Sequence, residues 1–88
     1  MVRRRAVVRG RVQGVFFRDT CRRVAREHHV AGSAANLPDG SVEVILEGEA
    51  GDVEAVIEWC RSGSSYADVE AVDVTDEEPE GLEDFRVG

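Results

Sequence analysis

Between residues 4 and 29 the hydrophobic period of this chain changes once, and that change fixes much of what can follow. In Arg4 to Val12, Ala6, Val8, Gly10 and Val12 share one face while Val7, Arg9 and Arg11 share the other, the two-residue period of a strand. From Asp19 to about His29 the period is helical. Phe17, Cys21, Val24, Ala25 and His28 follow i, i+4, i+7, i+8, i+11 spacing, one stripe along a helix. Asp19 in the first turn and His28-His29 in the last complement the helix dipole. Little more than a turn at Gln13-Gly14 separates strand from helix.

Downstream, Gly32 to Leu37 reads as a short strand of small residues, and Pro38-Asp39-Gly40 as a turn with the favoured Asp-Gly pair. Ser41 to Glu47 alternates, with Val42, Val44 and Leu46 on one side and Glu43, Ile45 and Glu47 on the other. In Asp52 to Arg61, Val53, Val56, Ile57 and Cys60 form a second helical stripe flanked by Trp59, and Gly63 stops the helix. Val69 to Thr75 is a fourth strand, and Leu82 to Val87 is expected as a short C-terminal edge strand. The order β-α-β-β-α-β predicts a ferredoxin-like α+β sandwich, an antiparallel sheet with two helices on one face. Residues 1–88 are expected to form a single domain. That topology hosts many unrelated functions, so the chemistry must come from particular residues.

Charge is the first guide to partners. Residues 1–29 carry nine arginines against Asp19 and Glu27, a balance of +7, and the remainder carries Arg61 and Arg86 against sixteen carboxylates, a balance of −14. The net −7 repels nucleic acid at long range, whereas a cationic face in the first third would gather small anions. No apolar run approaches the roughly 20 residues that cross a bilayer, and no apolar segment follows the N-terminal arginines. A cytoplasmic protein, monomeric and without membrane or nucleic-acid partners, is the expectation. Cys21 and Cys60 lie far apart in sequence, which excludes a CxxC motif; both fall on helix apolar faces and are expected as buried thiols, a disulfide linking the two helices being the alternative.

Gly10 to Arg18 carries the clearest chemical signal. A strand, a glycine-containing loop and a helix start make an anion cradle, because successive backbone N–H groups converge where the helix dipole favours negative charge. Arg18 adds a planar fork of donors suited to a phosphoryl group. Gly14 permits close backbone approach. Phe16 and Phe17 are expected to support the loop or enter the core. Asn36, taken alone, reads as a turn asparagine in the left-handed region ahead of Asp39-Gly40.

With these residues placed, the chain resembles the acylphosphatases. Gly10-Arg11-Val12-Gln13-Gly14-Val15-Phe16-Phe17-Arg18 matches the family's G-x-V-Q-G-V-x-F-R signature at every specified position. A second signature places an asparagine ahead of a turn glycine, here Asn36-Leu37-Pro38-Asp39-Gly40-Ser41-Val42-Glu43. The resemblance implies hydrolysis of the carboxyl–phosphate anhydride of a small-molecule acyl phosphate, without metal or cofactor. It implies that Gln13, Gly14, Val15, Phe16, Phe17 and Arg18 bind the phosphoryl group, and that Arg18 and Asn36 are catalytic, Asn36 positioning the attacking water. Two stretches depart from the usual family pattern. Ser33-Ala34-Ala35 replaces a bulky aromatic and often an arginine, and Gly63-Ser64 replaces Gly-Pro.

Other constellations carry less. Adjacent His28 and His29 point about 100° apart on a helix and have no partners at zinc-ligand spacing. Asp76, Glu77, Glu78 and Glu80 lack the ligand order of an EF-hand loop and are expected as a solvated acidic edge. No Walker, Rossmann or Ser-His-Asp pattern occurs. The alternative function is a non-catalytic module binding acyl or carbamoyl phosphate, as in the acylphosphatase-like domain of hydrogenase-maturation carbamoyltransferases.

Overall fold

A computed structural model describes residues 1–88. The elements in chain order are β1 (Val2–Arg11), α1 (Phe17–Glu27), β2 (Ala31–Asn36), β3 (Val42–Gly48), α2 (Ala50–Cys60), β4 (Asp68–Glu77) and β5 (Phe85–Val87). The sheet order is β4-β1-β3-β2-β5. β3 lies between β1 and β2, and β1 lies between β3 and β4, so the two β-α-β units interlock as the ferredoxin-like arrangement requires.

The first four strands are antiparallel neighbours. β5 is the expected edge strand, but it runs parallel to β2, so the sheet is mixed rather than wholly antiparallel. The reason is geometric. β4 ends with Glu77 opposite Arg3, near the start of β1, and a chain turning back from there must travel in the direction of β1 and hence of β2.

α1 packs over β2 and β5, and α2 over β1 and β3. The core forms between helices and sheet from the stripes visible in the sequence. Ala6, Val8, Val42, Val44 and Leu46 meet Phe17, Cys21 and Ala25 of α1 and Val53, Val56, Ile57 and Cys60 of α2. Phe17 and Trp59 have ring centroids 5.0 Å apart, a tilted contact joining the helices. Both cysteines are buried and free, and the neighbouring Cys60 thiol, followed by burial, pushes the Cys21 pKa well up. α1 starts at Phe17, earlier than the Asp19 start read from spacing, and its last-turn histidine, His28, lies 4.0 Å from Asp52.

The opposite sheet face is held by charge. Arg3 pairs with Glu47 at 2.7 Å and Glu77 at 2.9 Å, Arg5 with Glu43 at 2.7 Å, and Arg9 with Asp73 at 3.1 Å. On the helix-covered face Arg4 pairs with Glu54 of α2 and with Asp76. One expectation is corrected here. The arginine-rich first third is not a free cationic face, because all of its arginines except Arg11 and Arg18 meet Asp or Glu side chains. Asp76 and Glu77 are exposed on the edge strand β4, the solvated acidic edge expected, and Arg4 and Arg3 pair with them there.

Glu47, read from the sequence as a polar-face residue, is almost fully buried. Its carboxylate accepts from Arg3 and from the amides of Glu80 (3.2 Å), Gly81 (3.0 Å) and Leu82 (3.4 Å). The segment 78–84 thereby becomes a strap tied to the sheet. Beyond it, Asp84 accepts from Arg26 of α1 at 3.2 Å, and Phe85 enters the core. Arg26 is outranked by the Phe85 amide in holding the Asp84 carboxyl below its ordinary pKa.

Candidate active site

The segment joining β1 to α1 has backbone geometry suited to an anion. Gly10 sits at a bulge against β4 with φ of 126°, where a Cβ would overlap the Asp68 carbonyl and come within 2.8 Å of the Glu70 nitrogen. Gly14 and Phe16 have φ of 73° and 61°, whereas Gln13, Val15 and Phe17 do not enter that region. Such alternation in the sign of φ turns successive N–H groups toward one concavity. Phe16 is the N-cap of α1 and supplies no side-chain cap. The amides from Gln13 to Asp19 therefore run as an unbroken series that donates to no backbone acceptor; Thr20 is the first to do so, to Phe16 at 3.1 Å. At a helix N-terminus such a series is an anion-binding surface.

Three side chains hold this loop in shape. Gln13 donates through Nε2 to the Leu37 carbonyl at 2.8 Å and the Ser41 carbonyl at 2.9 Å, fastening the loop to the β2–β3 turn. That turn is itself braced, since Asp39 accepts from the Ser41 amide at 3.0 Å and hydroxyl at 2.5 Å. The Ser41 hydroxyl, then its amide, with Arg9 assisting, hold the Asp39 carboxyl below its ordinary range. From the other side Ser64 Oγ donates to the Val15 carbonyl at 2.6 Å.

Arg18 is half-buried in the first turn of α1 and donates through Nη1 to the main-chain oxygen of Gly88. It pairs with no Asp or Glu side chain, unlike most of its neighbours in the first third. Gly88 in turn donates its amide to the Ala34 carbonyl at 2.9 Å. Asn36 is exposed, ends β2 opposite Val42, and has no positive φ. The left-handed turn asparagine is thus not what the structure contains; Asn36 is extended, and the turn's positive φ falls at Gly40. Gln13 contacts Leu37 directly after Asn36, and Arg18 reaches Gly88, which bonds to β2 just before it. The two ends of the loop therefore bracket the end of β2.

A recess of about 240 Å³ opens at the loop, lined by Gly14, Phe16, Phe17, Arg18 and Val87 among others. A larger one, about 690 Å³, lies elsewhere, beneath the 80–84 strap. Phe17 is buried, as expected of a loop support, but Phe16 is not a core residue: it is 70% exposed. No three His, Cys, Asp or Glu side chains converge as metal ligands.

The acylphosphatase family model matches residues 4–87. The chain belongs to the acylphosphatase family. It is 48% identical over 88 residues to an acylphosphatase of Syntrophus aciditrophicus, covering 99% of this chain and 92% of that one. It is 51% identical over 83 residues to an acylphosphatase of a Roseiflexus species, covering 94% and 89%. Among solved structures, the acylphosphatase of Bacillus subtilis superposes with a TM-score of 0.97 at 34% identity, over 100% of this chain and 99% of that one. The HypF protein of T. kodakarensis matches with a TM-score of 0.83 at 33% identity, over 99% of this chain but 12% of HypF.

Within this acylphosphatase-family site, sequence reading missed one residue. Ser64, one of the departures from the usual pattern, contributes a hydroxyl bond to the loop that a proline cannot make. Its signal was that substitution itself.

Proposed function

We propose that the chain hydrolyses acyl phosphates with Arg18 and the amides of residues 13–18 binding the phosphoryl group and Asn36 orienting the attacking water. The observation that carries this reading is the unbroken series of open amides beside an arginine that no Asp or Glu side chain occupies. Phosphoryl transfer asks chiefly for positioning and for stabilisation of charge on the equatorial oxygens, which amides and a guanidinium supply. The departing carboxylate is a stable anion at neutral pH, so it leaves without a proton from a general acid. Arg18 stays protonated and acts electrostatically, not as a base.

Asn36 is neutral, with one acceptor and two donors. Its carbonyl oxygen accepts from a water without placing a second negative charge beside the phosphate, as an aspartate would. The extended, exposed conformation of Asn36 at the end of β2 supports this role over that of a turn former.

The test is benzoyl phosphate hydrolysis in EDTA by Arg18→Ala and Asn36→Ala variants whose circular dichroism matches the parent. Each should lose at least about 10²–10³-fold in rate, the usual loss for one key electrostatic donor. Full activity in both variants refutes the assignment. The similarity to HypF favours one second reading, a module that binds an acyl or carbamoyl phosphate without turnover. Calorimetric phosphate binding by an unsubstituted protein that hydrolyses nothing would support it.

A further inference from the structure

Phe16 and Phe17 are adjacent aromatics with opposite fates. Phe17 is 1% exposed, whereas Phe16 is 70% exposed and lines the recess that also contains Arg18. Phe16 also has a left-handed backbone, φ 61° and ψ 23°. For a bulky side chain that conformation is an outlier, and glycine would adopt it freely. A single exposed aromatic needs no explanation. A strained one, on the rim of an anion cradle, does.

We infer that the Phe16 ring is the contact for the acyl end of the substrate, making Phe16 a specificity-determining residue that favours flat or apolar acyl groups. This rests on the hydrolytic reading above. The amides of the loop and the Arg18 guanidinium are polar and suit the phosphoryl end, leaving an acyl group to meet what else lines the recess. Its exposed apolar wall is Phe16, with half-buried Val87 of β5 beside it. The left-handed backbone at residue 16 separates two functions: the amide stays in the series that faces the anion, and the ring is kept out of the core that Phe17 fills. An aryl group can stack offset on that ring; a small polar acyl group gains little there.

The experiment compares kcat/KM for benzoyl phosphate with that for acetyl phosphate in the parent and in Phe16→Leu, Phe16→Tyr and Phe16→Gly. The benzoyl-to-acetyl ratio should fall roughly fivefold in Phe16→Gly, what an aromatic contact of ordinary strength is worth, with most of the change in KM for benzoyl phosphate. Phe16→Tyr should keep the parental ratio, and Phe16→Leu should fall between. An unchanged ratio in Phe16→Gly, with hydrolysis of both substrates intact, overturns the role of the ring alone. No turnover of either substrate by the unsubstituted protein overturns the hydrolytic reading and this one with it. Because glycine relieves the backbone strain, loss of folding does not account for the expected change.

Discussion

Replacing Glu47 with glutamine tests how the strap is held. The carboxylate is 1% exposed, and its two oxygens are shared among Arg3 and three consecutive amides, Glu80 to Leu82. Glutamine keeps the shape but has one acceptor oxygen, so its NH₂ must face either the Arg3 guanidinium or an amide N–H. Breaking a buried ion pair by removing one partner costs about 3–5 kcal/mol. Arg3 keeps Glu77 at 2.9 Å and Glu80 at 3.6 Å, which places the cost at the lower end, about 3 kcal/mol. With a urea m-value of about 1–2 kcal/mol/M for a domain of this size, the midpoint should drop by roughly 1.5–3 M with m unchanged.

The pH dependence gives an independent check. Burial pushes the Glu47 carboxyl up, but Arg3 and the three amides outweigh it and hold it below its ordinary 4.5. A carboxyl with a depressed native pKa contributes its full stabilisation above the unfolded value and loses it as pH falls through the native value. The stability gap between parent and Glu47→Gln should be widest at neutral pH and close as acid protonates Glu47. A midpoint shift worth less than about 1 kcal/mol at neutral pH, or a gap that widens in acid, would refute the clasp as described.

Two further predictions follow from buried groups. Ser64→Ala removes the 2.6 Å bond to the Val15 carbonyl and should cost about 1 kcal/mol of stability, while raising KM for an acyl phosphate as the loop loosens. Cys21, raised by the Cys60 thiol and by burial, and Cys60 itself, fully buried, should resist a thiol reagent in the native protein and react fully in strong denaturant.

The legible parts of this protein are those with a period. β1, α1, the β2–β3 hairpin and α2 repeat their apolar residues every two or three to four positions, and the stripes read from sequence are the ones that line the core. The β1–α1 loop was legible because strand, glycine and arginine stand contiguous between Gly10 and Arg18. What escaped depends on partners distant in sequence. Glu47 sits on the polar side of its strand, and only a non-repeating strap more than thirty residues later buries it. Asp76 and Glu77 are poor strand formers that enter β4 because Arg4 and Arg3 lie opposite. The direction of β5 has no local signature in three residues. Nor did adjacent Phe16 and Phe17 reveal which ring turns outward.

The pairing of β1 with β4 also shapes how the chain assembles. Arg3 and Glu77 stand 74 residues apart, so the edge strand β4 docks only after nearly the whole chain has closed into a loop, an entropic cost of about 4 kcal/mol. β1 carries five arginines and β4 five carboxylates. In the unfolded ensemble those opposite charges attract across that loop and bias the ends toward encounter before any hydrogen bond forms. Ions screen that attraction over about 10 Å at 0.1 M salt. The arginine ladder should therefore act as a kinetic device as well as a surface: it shortens the search for the strand pair most distant in sequence, and ionic strength sets how quickly that search ends.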